Sequence, residues 1–416
     1  MVPSRENPAI FNRTLRMTTA SSTATNPILT STFAGLAPIA IAVFLGFLAF
    51  SFPLGALSLE IGGRLGFDTV IVGSIIGLQS VATLLSRHQA GALSDRRGPR
   101  VAVLMGFPIA ASSGLAYALS AILPIGAYGS LVLLGLGQLL MGLGQSLFLT
   151  GLMSWGIARL GANRTGKVMS WVGIAIYAAL GIGAPLGLSM QKAYGFAGIG
   201  GVAVLAPMAA WLIALLLPGT PGSGDRRVPF HQVIGLIWLP GLVLALATVP
   251  FAAMAAFLPL YYTANGWAQP GLALSGFGAA YVLARLVGSG LPDRFGAAPV
   301  AIGSLICEAA GQALLWLAPT PILAAIGASL TGLGFSLIFP AMGVLATNSV
   351  APAQRGRAVG NFIAFSDIAL GVTGPVVGLV SQSTGIGAAF FVGAIATTAA
   401  VLLLSSVRPH SNTETA

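Results

Sequence analysis

The chain has 416 residues, of which 56% are hydrophobic and 7% charged, with 19 Lys and Arg against 9 Asp and Glu for a net charge of +10. An ordinary soluble domain is about 25% charged, so this composition, with a mean hydropathy of +0.91, excludes a soluble enzyme, a secreted disulfide scaffold and a disordered protein. No charged side chain occurs at 101–158 or 228–284, which marks a polytopic membrane protein.

Residues 1–32 carry Arg5, Arg13 and Arg16 among many Ser and Thr. They lack an apolar run ending in a cleavage site, so a cytoplasmic tail is expected and not a signal peptide; Met17 is an alternative start. Apolar runs of the length a ~30 Å hydrocarbon core requires then predict six spans at 33–59, 69–89, 101–123, 128–157, 168–190 and 199–217. A Pro- and Gly-rich linker at 218–232 contains Arg226 and Arg227. Six more spans follow at 233–262, 271–291, 300–318, 322–349, 358–382 and 387–407, before a tail at 408–416. The expected fold is therefore an all-α membrane protein of twelve transmembrane helices in two six-helix bundles, 33–217 and 233–407.

Basic residues are retained on the cytoplasmic side of short loops. With the N-terminus inside, 15 of the 19 fall in inner segments, and only Arg64 and Lys192 fall in outer loops. Arg87 and Arg285 sit just within spans near the inner face. Both termini are expected to be cytoplasmic. The positive charge is thus an orientation signal, spread over loops, and not the single basic face that nucleic acid requires. Cys307 stands alone, so no internal disulfide or multi-thiolate metal site is expected.

The halves echo one another. Arg87 precedes Asp95 by eight residues in Arg87-His-Gln-Ala-Gly-Ala-Leu-Ser-Asp95-Arg96-Arg-Gly98, and Arg285 precedes Asp293 by eight in Arg285-Leu-Val-Gly-Ser-Gly-Leu-Pro-Asp293-Arg294-Phe-Gly296. Gly142-Leu-Gly144 matches Gly332-Leu-Gly334, and Gly181-Ile-Gly-Ala-Pro185-Leu-Gly187 matches Gly371-Val-Thr-Gly-Pro375-Val-Val-Gly378. Two parallel six-span repeats around a central site form a known transporter architecture.

Gly91-Ala-Leu-Ser-Asp95-Arg96-Arg97-Gly98-Pro99-Arg100 resembles the loop signature of the major facilitator superfamily, G-x-x-x-D-R-x-G-R-[RK], with Pro99 where a basic residue usually stands. Asp293-Arg294-Phe-Gly296 looks like its second-half echo. Gly142-Leu-Gly-Gln-Ser146, Ser170-Trp-Val-Gly-Ile174, Gly183-Ala-Pro-Leu-Gly187, Gly334-Phe-Ser-Leu-Ile-Phe-Pro340 and Leu370-Gly-Val-Thr-Gly-Pro375 resemble the YhhS/YfcJ group of bacterial inner-membrane members. That resemblance implies a multi-pass inner-membrane exporter of small molecules.

In the resembled family the loop aspartate latches the two halves on the cytoplasmic side, against the start of the eleventh helix, here Gly356-Arg357-Ala358. The resemblance assigns Gly91, Asp95, Arg96, Gly98 and Arg100 to that latch, with Asp293 and Arg294 as its echo. The repeated spacing adds Arg87 and Arg285 as partners in a charge network with Asp95 and Asp293. The competing reading is that the arginines only set orientation, which suffices for Arg97.

Glu308 and Asp367 are the acids near mid-span. An intramembrane carboxylate costs at least ~2.5 kcal/mol at a helix centre on insertion scales and is a functional candidate. A carboxyl that is neutral in one state and charged in another is what proton coupling requires; the bland alternative is pairing with an Arg or with a neighbouring helix. Many proton-driven members of the resembled family carry an Arg four residues before the glycine matching Gly142, and here that position is Gln138, which weakens an antiport reading. Gln138 and Gln145, two turns apart on one helical face, are candidates for a polar strip of the cavity, as is Asn361; interhelical hydrogen bonding is the alternative. Gly183, Pro185, Gly187, Gly374, Pro375 and Gly378 are expected hinge and packing positions. They resemble the antiporter signature of the fifth helix, with Ala184 in place of its usual glycine.

His88, His231 and His410 lie in separate segments without a paired acid or nucleophile, and no G-x-x-x-x-G-K-[ST] loop is present, so catalysis and ATP-driven transport are not expected. The expected function is secondary active export of a small organic solute with proton antiport, by a monomer in contact with membrane lipids and without a cofactor or metal. The alternatives are a facilitator, a proton-coupled importer, or a membrane sensor that moves no solute.

Overall fold

The computed structural model describes residues 27–161, 164–222, 231–350 and 355–406, with side chains described within these from residue 36 onward except at 231–234, 293 and 355–361. Most of the N-terminal tail, most of the linker, the C-terminal tail and the side chains of Asp293, Arg357 and Asn361 lie outside the described residues. Among the described residues every regular element is helical. They are α1 (Pro27–Ser58) with a π-helical extension (Leu59–Arg64), α2 (Thr69–Arg97), α3 (Pro99–Ile122), α4 (Gly126–Leu160), α5 (Thr165–Leu216), α6 (His231–Ala264), α7 (Pro270–Gly288), the short α8 (Leu291–Phe295), α9 (Ala297–Trp316), α10 (Pro321–Asn348), α11 (Arg355–Thr384) and α12 (Ala388–Ser406). Helices are the solution that satisfies every backbone polar group within one segment in lipid.

Eleven of these are long and apolar enough to cross a membrane, and α5 crosses twice. Its 52 residues would reach ~78 Å as one straight helix at 1.5 Å per residue, far more than one hydrocarbon core. The break is at Gly195, with φ 69° and ψ −174°, a backbone conformation that glycine adopts without a Cβ clash. The two limbs are the expected fifth and sixth spans.

One boundary is corrected. The first span was expected to end at residue 59, leaving Glu60 and Arg64 in an outer loop. The helix instead runs on through Arg64, with Glu60 buried and bonded to Arg64 Nε at 2.6 Å. Pairing one turn apart is what lets the acid lie inside the protein boundary.

Small residues mark the closest helix contacts, and many long apolar side chains face outward. Gly106 lies against the backbone of Gly144 and Phe148, and Gly114 against that of Gly200 and Ala203, while Leu85, Val132, Leu205 and Leu402 are exposed. That distribution suits lipid, where close backbone approach and not burial from water drives helix association. One apolar core gathers mainly from α1–α5 and a second mainly from α6–α12. The internal repeat is visible in backbone geometry: Gly98 has φ 92° and ψ 150°, and Gly296 has φ 89° and ψ 149°. Each ends a helix three residues after an aspartate and starts the next one.

Candidate functional site

The helices α1, α2 and α5 meet α6, α7 and α11 around one central space. At the end remote from Arg96 and Arg97, this space is closed by backbone on backbone. Gly73 of α2 abuts Gly374 of α11, Gly77 faces Gly371, and Thr69 Oγ1 donates to Gly378 O at 2.8 Å. Opposite, Gly181 of α5 abuts Gly278 of α7, Ser275 Oγ donates to Gly181 O at 3.0 Å, and Gly271 faces Pro185. A Cβ at Gly73, Gly77, Gly278 or Gly374 would overlap backbone atoms of the facing helix. Glycine is therefore required here for the two walls to touch.

The expected packing positions divide between two duties. Gly374, Pro375 and Gly378 form part of the α2–α11 contact, and Pro185 meets α7. Gly183 and Gly187 instead seat α5 on Ser51 and Phe52 of α1, where Ser51 Oγ donates to Ala179 O at 2.8 Å.

Directly beyond the α2–α11 seal the two helices frame a cavity of about 190 Å³, whose wall runs from Ile76 to Arg87 on α2 and from Gly374 to Ile363 on α11. Across it Arg87 Nε donates to Asp367 Oδ2 at 2.7 Å, and the Arg87 Nη2 group pairs with the same oxygen. Asp367 is 7% exposed, and a buried carboxylate of this kind persists because the guanidinium compensates the lost hydration.

This pair corrects the expected network. Arg87 turns to Asp367 on the other side of the cavity, not to Asp95, because eight residues separate Arg87 and Asp95 by about 12 Å along one helix axis. Arg285 likewise turns inward: it is 5% exposed, and Nη1 donates to Ser336 O at 2.9 Å on α10. Asp95 is half-buried at the end of α2 and has interactions of its own, Gly91 is buried, and Arg96 and Arg294 are exposed. Arg100 Nη2 donates to Leu215 O at 2.8 Å, which ties the loop to the end of α5. Gly98 lies against Thr220 O, and Trp155 Nε1 donates to Pro218 O at 3.1 Å, so the first linker residues rest on this loop.

The two glutamines part company. Gln145 accepts from Gln79 Nε2 at 2.6 Å, and both line the cavity. Gln138 does not line it: Gln138 accepts from Tyr117 OH at 2.6 Å and lies 3.4 Å from Ile76 O. The interhelical alternative holds for Gln138, because the ring of Tyr117 fills the space between α3 and α4 at that depth. Glu308 is also outside the cavity wall. It is 0% exposed on α9, and among the described residues neither carboxyl oxygen has a hydrogen-bond partner.

The remaining wall is apolar, with an aromatic cluster within it. Tyr177 of α5 stacks on Tyr281 of α7 with centroids 3.6 Å apart, and Phe251 of α6 stacks on Phe277 and Phe335 at 5.4 Å and 6.2 Å. Sequence reasoning passed over these residues, since an aromatic in an apolar span carries no mark of which way it faces. It also passed over Gly73 and Gly77, whose spacing of four is the signal that could have found them.

The fold and cavity can be set beside known proteins. The family model described as Major Facilitator Superfamily matches residues 39–270 and 268–416. An uncharacterized MFS-type transporter of Salmonella typhimurium is 39% identical over 367 residues, covering 88% of this chain and 94% of the relative. A second, from Pseudomonas aeruginosa, is 39% identical over 370 residues, covering 88% and 92%. Among solved structures, a D-xylose-proton symporter superposes with a TM-score of 0.75 at 15% identity, over 92% of this chain and 100% of that one. The chain belongs to the major facilitator superfamily and is a multi-pass membrane transporter.

Proposed function

We propose that the chain moves a small organic solute by alternating access, coupled to protons through Asp367, and exports that solute across the bacterial inner membrane in exchange for protons. The observation that carries this reading is the Arg87–Asp367 pair, which ties α2 to α11 inside the cavity and directly beyond their sealed ends. A proton on Asp367 removes the charge that holds Arg87, loosening the tie between the two helices whose parting would open the sealed end. Asp95, Arg96, Gly98 and Arg100, with Asp293 and Arg294 as counterpart, act as the latch at the opposite, cytoplasmic end. The one-sided distribution of arginine supports that orientation and two cytoplasmic termini.

A second reading, a facilitator or a proton-coupled importer, gains from Gln138, which weakens the antiport reading. Where many proton-driven members of the resembled family keep an Arg, this chain has an amide packed against Tyr117 and away from the cavity.

The test is solute-dependent proton flux in proteoliposomes of the purified chain with a trapped pH dye, screened over organic acids, amines and sugars. Flux is expected in the wild type and lost in Asp367→Asn, and its direction relative to the solute separates export by exchange from import. Flux undiminished in Asp367→Asn removes Asp367 from coupling. Solute flux for no compound, with or without a pH gradient, returns the sensor alternative.

A further inference from the structure

The charges of the cavity wall do not balance. Arg87 is matched by Asp367, but among the described residues Arg285 forms no ion pair with any carboxylate. Among the described residues its one hydrogen bond goes to the Ser336 carbonyl, which uses one of its five N–H donors. Among the described residues Glu308 makes no bond with the guanidinium either. A charged side chain inside the membrane is costly and is kept for a partner. This one lines the cavity, with Nη2 directed toward α5, where a Cβ on Gly173 would stand 3.6 Å away.

The neighbouring surface is apolar and aromatic: Tyr177, Tyr281, Phe251 and Phe335 adjoin Arg285 in the wall. Polar groups are few and largely occupied, with Gln79 bonded to Gln145 and Ser366 to Thr248. A sugar would leave most of its hydroxyls unpaired there, and a cation would meet an unmatched positive charge.

We propose that the solute is a compact organic anion, its carboxylate or like group held by Arg285 and its apolar body lying on the Tyr177–Tyr281 and Phe251–Phe335 surfaces. The assignment rests on the transport reading of this cavity.

The test is binding to the purified full-length protein in detergent, by calorimetry, of three probes that share one body: 4-phenylbutyrate, 4-phenylbutylamine and 4-phenylbutanol. The carboxylate is expected to bind about tenfold more tightly than either of the others, as a charge-assisted bidentate contact provides. Arg285→Gln is expected to abolish that preference. Asp367→Asn, which removes the one negative charge of the wall, is expected to tighten 4-phenylbutyrate several-fold. An amine or alcohol that binds as well as the acid, a preference retained in Arg285→Gln, weaker binding in Asp367→Asn, or no binding of any probe overturns the proposal. Where Arg285→Gln fails to fold, the wild-type ranking and the Asp367→Asn shift decide. Because flux plays no part, anion binding without transport sinks only the transport reading, and proton-coupled flux without anion preference sinks only this one.

Discussion

Arg87 and Asp367, 280 residues apart in the chain, meet across the cavity between α2 and α11 with guanidinium Nε 2.7 Å from the carboxylate. Each is the other's ion-pair partner. Removing either alone leaves a charge stranded in a mostly buried site, which costs about 3–5 kcal/mol where burial is complete. Arg87→Gln and Asp367→Asn are each expected to lower the thermal midpoint, and the double variant to recover part of the loss. Midpoints that fall additively would show the pair to be uncoupled.

Gly374 bears on the sealed end. Gly374→Ala puts a Cβ into the backbone of Gly73, an overpacking of the kind that costs about 1–3 kcal/mol. The chain is expected to relieve it by parting α2 from α11. In a Cys307→Ser background with Ser80→Cys in the cavity wall, labelling by a membrane-impermeant thiol reagent applied from outside should rise several-fold on adding Gly374→Ala. An unchanged rate would mean that the seal yields in some other way.

Glu308 and Asp367 differ in what surrounds them. Glu308 lies outside the cavity with both oxygens unpartnered among the described residues, so Glu308→Gln is expected to leave proton-driven flux in place where Asp367→Asn removes it. An unsatisfied buried polar group costs about 1–3 kcal/mol, and Glu308→Met, similar in shape and without polar oxygens, should raise the thermal midpoint. A lowered midpoint would point to a partner for Glu308 in another state of the transport cycle.

The two loop glycines share a backbone conformation but not a neighbourhood. At Gly98 a new Cβ would stand 2.8 Å from Thr220 O, whereas at Gly296 it would find only Pro299, at 3.6 Å or more. Alanine at either position meets a strained φ costing about 1–3 kcal/mol, and Gly98→Ala is expected to be the more damaging. Parallel melts of the two variants check the ranking.

Tyr117 offers a hydrogen bond that serves packing alone. Tyr117→Phe breaks its bond to Gln138 and is expected to cost about 0.6 kcal/mol, the usual value between membrane helices, with transport unchanged. A large loss of flux would place Gln138 in the mechanism after all.

How far the site could be read from the chain depends on the kind of mark a residue carries. Asp367 stood out because an acid within an apolar span is rare whatever its partner. Its partner did not, since the eight-residue spacing of Arg87 and Asp95 pointed along the helix while the side chain in fact reaches across the cavity. Gln138 and Gln145 share a nominal helical face, yet Tyr117 claims one and the cavity the other. Glu60 was placed in a loop because the expected span stopped five residues short of Arg64, whose side chain compensates the acid locally.

By itself the sequence determined the twelve crossings, their orientation signal and the doubled loop at Gly98 and Gly296. Span length, loop charge and a glycine at positive φ are each properties of short stretches of chain, and lipid enforces them one segment at a time. Only the tertiary structure decided that Arg87 belongs to Asp367, that Gly73 closes on Gly374 and that Arg285 faces an aromatic cavity without a carboxylate to match it. Those relations join helices far apart in sequence, and they depend on which way each helix is turned when small residues allow two backbones to touch.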